Sequence, residues 1–249
     1  MIINGLLGDS LNANDRGLMY GDGVFRTLRI SQGKPLLWPQ HYNKLQHDCA
    51  ALAFECPAIK ALEDELMQLI QPDTNGIAKI IITRGPSSRG YMPTVNPQVS
   101  RILSLSPLPE YPATYAKQGI KVHVCNLRLA HQPRLAGIKH LNRLENVLAA
   151  AECSAPDIAE GILLDMENHV IEGTRSNLFW VQNGKLYTSD LSQCGVAGLQ
   201  RDRVIEYAQQ QGWACAIGNF KLSELFAADE IFVVNSLIGL WLTHGIPSH

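Results

Sequence analysis

Lys139 stands among small and apolar residues, in Gly137-Ile138-Lys139-His140-Leu141-Asn142-Arg143-Leu144-Glu145-Asn146-Val147-Leu148-Ala149, where a helical pattern begins. Leu141, Leu144, Val147 and Leu148 recur at three- and four-residue steps and so line one helix face. Asn142 is placed to cap that helix, with Glu145 three residues on in roughly capping-box spacing. A lysine held just before a helix can shed enough hydration to become a usable amine at neutral pH, as condensation with a carbonyl requires. By itself such a lysine reads better as an ordinary surface residue. Its company along the chain changes that reading.

Two further features bear on the same chemistry. Glu172 ends the apolar run Val170-Ile171-Glu172, where a carboxylate is costly unless paired. One productive partner is a protonated ring nitrogen, which the negative charge keeps cationic and electron-withdrawing. A salt bridge to Arg175 or another arginine is the plainer account. In Gly195-Val196-Ala197-Gly198-Leu199-Gln200-Arg201-Asp202, glycines run straight into a helix start. That leaves backbone donors and the positive end of the helix dipole for an anion, although glycine before a helix is commonplace. Asn235 and Ser236, directly after a buried strand, add donors for the same phosphate or simply close a strand-end turn. Together the three features converge on a phosphorylated, nitrogen-containing cofactor.

The hydropathy pattern supplies elements to position them. Residues 1–3 and 25–30 are strand-like, the second alternating up to a turn at Ser31-Gln32-Gly33-Lys34. Helical spacing predicts helices over 39–54 and 59–70. The β-branched run 79–83 is broken by the loop Arg84-Gly85-Pro86-Ser87-Ser88-Arg89-Gly90, and 101–105 reads as its partner strand. Three prolines within 107–112 mark an interdomain linker. Beyond it, strands over 120–124 and 161–164 are separated by the helix that follows Lys139. Strands over 170–172 and 177–181 come next, and an Asn183-Gly184 turn leads into 186–188 as a hairpin. Residues 200–211 form an amphipathic helix closed by Gly212; 220–226 is a short helical connector and 230–234 a last buried strand. The pattern predicts an α+β chain of helices on two largely antiparallel sheets, in two domains.

Composition narrows the function classes. With 249 residues, 46% hydrophobic and 18% charged, the chain is long enough for one large or two smaller well-filled cores and is not a disordered one. The formal charge of −2 carries no footprint of nucleic-acid binding or of a membrane surface. The first fifteen residues lack the pattern of a secretory signal, and the longest greasy stretch, 231–242, is too short to cross a bilayer. Six dispersed cysteines without paired spacing read as buried thiols, and the chain is expected in the cytoplasm. No nucleotide P-loop, HExxH or cysteine cluster, or GxSxG elbow is present. No metal site is therefore indicated, and His140 and His169 are expected to be structural or exposed.

Over nearly its whole length the sequence resembles the fold-type IV pyridoxal-phosphate enzymes. Asp15-Arg16-Gly17 and Gly21-Asp22-Gly23-Val24-Phe25 are similar to the family's opening signature, and Thr83-Arg84-Gly85 with Arg89-Gly90-Tyr91 to its mid-domain loop. Residues 137–148 resemble the cofactor-lysine motif in the form carried by aminodeoxychorismate lyases. Glu172 with Asn177-Leu178-Phe179, and Gly198-Leu199-Gln200-Arg201, resemble its ring and phosphate motifs. The resemblance implies a smaller N-terminal domain over 1–106, a linker over 107–118, and a larger cofactor-binding domain over 119–249 with mixed sheets. The cofactor would lie between the domains, in a homodimer that takes a small-molecule substrate.

By the same resemblance the cofactor is pyridoxal 5'-phosphate, carried by Lys139, with Glu172 on its pyridine nitrogen. The amides of Leu199 and Gln200, with Asn235 and Ser236, would hold phosphate. The family's His-x-x-Arg-Leu arginine is Lys44 here, in His41-Tyr42-Asn43-Lys44-Leu45. Lys44 keeps the charge without the bidentate fork; a solvated helix lysine is the other reading. Arg89 and Tyr91 occupy a loop that holds substrate carboxylate in D-amino-acid aminotransferases. Phe25 stands where those enzymes carry tyrosine. The missing hydroxyl and the form of the 139–145 run favour a lyase, converting 4-amino-4-deoxychorismate to 4-aminobenzoate and pyruvate in folate synthesis. The alternatives are a D-amino-acid or branched-chain aminotransferase and, outside catalysis, a vitamer-binding protein, against which the intact Lys139 and Glu172 argue. Family members also carry a further short segment after residues 240–242.

Overall fold

The structure is a computed structural model that describes residues 1–88 and 90–244. Its chain forms two compact units, Met1–Pro109 with Ile138–Asn142, and Glu110–Gly137 with the chain from Arg143 onward.

The first unit contains β1 (Ile2–Ile3), β2 (Leu6–Leu7), α1 (Arg16–Tyr20), β3 (Gly23–Ser31), β4 (Lys34–Pro35), α2 (Trp38–Ala51), α3 (Ile59–Met67), β5 (Gly76–Thr83) and β6 (Ser100–Ser106). Its six strands pair antiparallel throughout, in the order β2-β1-β6-β5-β3-β4. Alternation decides which face is buried. Val24, Leu28 and Ile30 of β3 and Ala78, Ile80 and Ile82 of β5 form a core with Leu45 of α2 and Leu62 and Leu66 of α3. Arg26 falls in that same buried row, so a charge sits where the pattern calls for an apolar side chain.

The segment Ile138–Asn142 packs with this unit as well, although it lies far along the chain in what the sequence assigns to the C-terminal domain. Backbone pairing accounts for the change. Phe25 N–H donates to the Lys139 carbonyl at 3.0 Å, Leu141 N–H donates to the Gly23 carbonyl at 2.9 Å, and Ile138 enters the core.

The second unit contains α4 (Ala113–Gln118), β7 (Lys121–Leu129), α5 (Leu144–Glu152), β8 (Ile158–Asp165), β9 (Val170–Gly173), β10 (Asn177–Gln182), β11 (Lys185–Ser189), α6 (Leu199–Gln210), β12 (Cys215–Gly218), α7 (Leu222–Phe226), β13 (Glu230–Asn235) and β14 (Gly239–Leu242). Five strands run β12-β11-β10-β13-β14 and three run β7-β8-β9. With the first unit's sheet that makes three sheets among the described residues, where the sequence pattern predicts two. Two pairs, β7·β8 and β11·β12, are parallel. Parallel neighbours need a crossover, and α5 and α6 supply it. Ile162, Leu178, Trp180 and Val233 fill the core.

The helix after the lysine differs from its sequence reading. α5 begins at Leu144 with Arg143 at the cap position and no side-chain cap. Asn142 caps nothing there, and the Glu145 carboxylate instead accepts from Ala130 N–H at 2.9 Å. Leu144, Val147 and Leu148 are exposed in this chain at 76%, 60% and 59%, while Ala149 is the residue that packs inward. The apolar stripe is real but faces away from this chain's core.

Candidate active site

In the first unit, Lys139 is held through its backbone. Its carbonyl accepts from Phe25, and its N–H donates to Oδ2 of Asp48 at 3.1 Å. His140 pairs with Val24 as a short antiparallel bridge. These contacts make residues 139–141 an added edge along β3, so the lysine's Cα cannot wander. The half-buried side chain places Nζ 4.4 Å from the centre of the Phe25 ring, whose face attracts a cation. Lys79 Nζ stands 5.3 Å from the same ring.

Asp48 is fully buried on α2 and forms an ion pair with Arg26 of β3. Arg26 also donates to the Lys44 carbonyl at 3.3 Å, which ties the half-buried Lys44 backbone to the same cluster. His41 is buried beside them. Burial, and after it the Arg26 charge, lowers its pKa to about 4, so it is neutral at physiological pH. Sequence reading passed over Asp48 and Arg26. The signal was present: each is a charge at a core-facing position, Asp48 in step with Tyr42 and Leu45 on the buried side of α2, and Arg26 in the buried row of β3.

In the second unit, Glu172 is 3% exposed on β9, and its Oε2 accepts from Val196 N–H at 2.8 Å. Arg175, the plainer partner that sequence suggests for it, turns instead to Glu160 at 3.7 Å and to the Ala159 carbonyl. The loop beside Glu172 is clamped by Asn177, which donates to the Val196 carbonyl at 2.8 Å and accepts from Gly198 N–H at 3.1 Å. Gly195 has φ +83°, and a Cβ there would come within 2.8 Å of Ile171 and 2.9 Å of Leu191. Only glycine keeps this turn against the carboxylate.

α6 then starts at Leu199 with Gly198 as its cap and no capping side chain. The first-turn amides of a helix have no carbonyl within it, so Leu199 and Gln200 present N–H groups outward from the helix start. Arg201 in the same turn is buried and donates to the Ser189 carbonyl at 2.9 Å. Burial lowers its pKa, an effect opposed by the nearby charges of Asp202, Asp190 and Glu172. After β13, Oδ1 of Asn235 accepts from Leu237 N–H at 2.8 Å and Ile238 N–H at 3.0 Å, and its Nδ2 donates to the Arg175 carbonyl. The side chain of Asn235 thus closes the strand-end turn, while the adjoining Ser236 is half-buried.

Among the substrate candidates, Phe25 lies under Lys139, whereas Tyr91 is 83% exposed with its ring 5.3 Å from that of Tyr20. Arg89 lies outside the described residues. His169 is structural: its Nδ1 lies 3.1 Å from Asp165, which His131 also reaches at 3.0 Å. No helix among the described residues is long and apolar enough to cross a membrane.

An antiparallel sheet in the first unit and two mixed sheets in the second define a class of fold. Residues 23–244 match the profile of the amino-transferase class IV family, and the chain belongs to that family. It is 37% identical to an aminodeoxychorismate lyase of Vibrio harveyi, over 99% of this chain and 91% of the relative. The crystal structure of 4-amino-4-deoxychorismate lyase from Pseudomonas aeruginosa superposes with a TM-score of 0.95 at 43% identity, covering 100% of this chain and 92% of that one. A putative branched-chain-amino-acid aminotransferase of Methanocaldococcus jannaschii is 29% identical, over 94% of this chain and 83% of the relative.

Proposed function

We propose that this chain is a pyridoxal-phosphate-dependent lyase that converts 4-amino-4-deoxychorismate to 4-aminobenzoate and pyruvate, a step toward folate, as a cytoplasmic homodimer. One observation carries the reading: identity of 37% and 43% to two aminodeoxychorismate lyases, over 99% and 100% of this chain. The aminotransferase reading has a lower identity behind it, 29% to the archaeal relative. Phe25 also lacks the hydroxyl that the sequence comparison associates with D-amino-acid transfer.

The groups present fit the cofactor. Lys139 offers a primary amine, Glu172 a buried carboxylate for a ring N–H, and α6 an uncapped N-terminus for phosphate. A Cβ on Gly198 would run into Oδ1 of Asn177, so glycine there lets Asn177 close on the loop that leads into the helix. Bound pyridoxal phosphate supplies an aldehyde that condenses with amines and a protonated ring that draws in the electron pair of a breaking C–H bond.

The chain's own residues do the rest. Glu172 keeps its charge against the ring nitrogen, held in aim by Val196 N–H. The amides of Leu199 and Gln200, with Asn235, Ser236 and Lys44, hold the phosphate; for Asn235, whose side chain is engaged in its turn, the backbone is the contributing group. Lys139 would hold the cofactor through its amine, and Nζ, once free, would take the proton from the substrate's amine-bearing carbon. It would then pass a proton to the departing enolpyruvyl group, which leaves as pyruvate while the six-membered ring becomes aromatic and 4-aminobenzoate is released. Arg89 and Tyr91 are assigned to the substrate carboxylates.

The test offers the reconstituted protein 4-amino-4-deoxychorismate and follows 4-aminobenzoate fluorescence, beside a panel of amino-acid and keto-acid pairs. Fluorescent product from the parent, and none from Lys139→Ala, is expected. Turnover confined to the transamination panel rejects the lyase.

A further inference from the structure

We propose that Asp48, neutralised by Arg26, is a positioning residue for Lys139. This rests on the reading of Lys139 as the cofactor-bearing amine. Asp48 is a buried carboxylate on a helix, 91 residues away from the lysine in sequence, and its Oδ2 accepts from Lys139 N–H at 3.1 Å. On the other side of the same residue, the Lys139 carbonyl accepts from Phe25 N–H at 3.0 Å. The peptide groups flanking the lysine's Cα are therefore both anchored, one to a helix side chain and one to a sheet backbone. Arg26, next to Phe25 on β3, completes the arrangement by pairing with that Oδ2. Around the carboxylate stand His47, whose Nδ1 is 3.2 Å from Oδ1, and Cys49, while the neutral His41 lies near Arg26.

A carboxylate is expensive in a core and is retained there only with its bonds satisfied. Apolar residues of similar volume in place of a buried ion pair are often neutral for stability, so packing of α2 on β3 does not by itself require the charges. What an apolar residue at 48 cannot do is accept the Lys139 N–H, and that acceptor is the specific function the geometry assigns. A base that must meet both an aldehyde carbon and a substrate C–H bond depends on such placement, and displacement by about 1 Å can cost about 100-fold in rate.

The test separates the acceptor from the ion pair with two charge-neutral double variants, Arg26→Met/Asp48→Asn and Arg26→Met/Asp48→Ala. Both remove the buried charges; only the first keeps an oxygen for Lys139 N–H. Cofactor-free protein is mixed with pyridoxal phosphate, trapped with borohydride at timed intervals, and the label at Lys139 is quantified by peptide mass spectrometry. Turnover is measured in parallel, and melting temperature reports the fold. The expected result is that the asparagine variant labels and turns over within a few-fold of the parent. The alanine variant, with a matching melting temperature, should lose about 100-fold in labelling rate and kcat at similar KM. Equal labelling and kcat for the two variants overturns the inference and leaves Asp48 a packing residue. A parent chain that takes no label at Lys139 overturns the cofactor reading itself, and this inference with it.

Discussion

At the scale of single residues, the chemistry proposed here depends on a charge in a place that resists charges. Glu172 is buried, and its Oε2 accepts a hydrogen bond from Val196 N–H. Glutamine at 172 keeps an oxygen for Val196 but cannot hold a ring nitrogen protonated. Losing one member of a buried, hydrogen-bonded charge pair costs roughly 2–5 kcal/mol, so Glu172→Gln should reduce kcat by about 30-fold or more. Steady-state assay of the reconstituted variant checks this, and a kcat within threefold of the parent would remove Glu172 from the reaction. Lys139 and Glu172 are proposed from their neighbours in sequence, because the motifs that single them out are short and local. Asp48 and Arg26 stand out in sequence only as charges at core-facing positions, and their partners are set when the fold brings a helix, a strand and a distant backbone N–H together.

At the scale of elements, the end of α6 proposed to face phosphate is shaped by one side chain. Asn177 spans the Val196 carbonyl and the Gly198 N–H and so sets the path of the loop into the helix. Asn177→Ala leaves two polar backbone groups without that partner, each worth about 1–3 kcal/mol where buried. The expected outcome is a loss of stability in that range in urea unfolding, together with weaker binding of pyridoxal phosphate by equilibrium dialysis. Unchanged affinity alongside lowered stability would separate the loop from the phosphate. Most elements were legible from periodicity, including the Asn183-Gly184 hairpin and the α2 and α3 helices. The facing of α5 was not, since a period of three and four identifies an apolar stripe without naming what covers it.

For the molecule as a whole, stability should fall in mild acid, and His41 is a definable part of the cause. Its pKa lies near 4 in the folded chain against 6.5 when exposed, so the unfolded chain binds a proton that the folded one refuses. The contribution is fully present above pH 6.5 and is lost as pH falls from there through about 4. Its size is about 3 kcal/mol at 1.36 kcal/mol per pKa unit. Denaturant unfolding of the parent and of His41→Gln across that window should show the parent falling more steeply, with the two curves converging toward acid. Parallel curves would mean that His41 is not a buried neutral base.

The sequence by itself determined the class of fold and nearly every element, and it marked the side chains proposed for chemistry and the glycines that let the backbone turn sharply, because each depends on residues within a few positions of one another. Tertiary structure alone decided that Ile138–Asn142 joins the first unit, that the second unit splits into two sheets with parallel pairs, and that a buried aspartate 91 residues away holds the lysine's N–H. Those outcomes are set by pairings between distant segments, where hydrogen bonding and burial are settled by the whole chain at once.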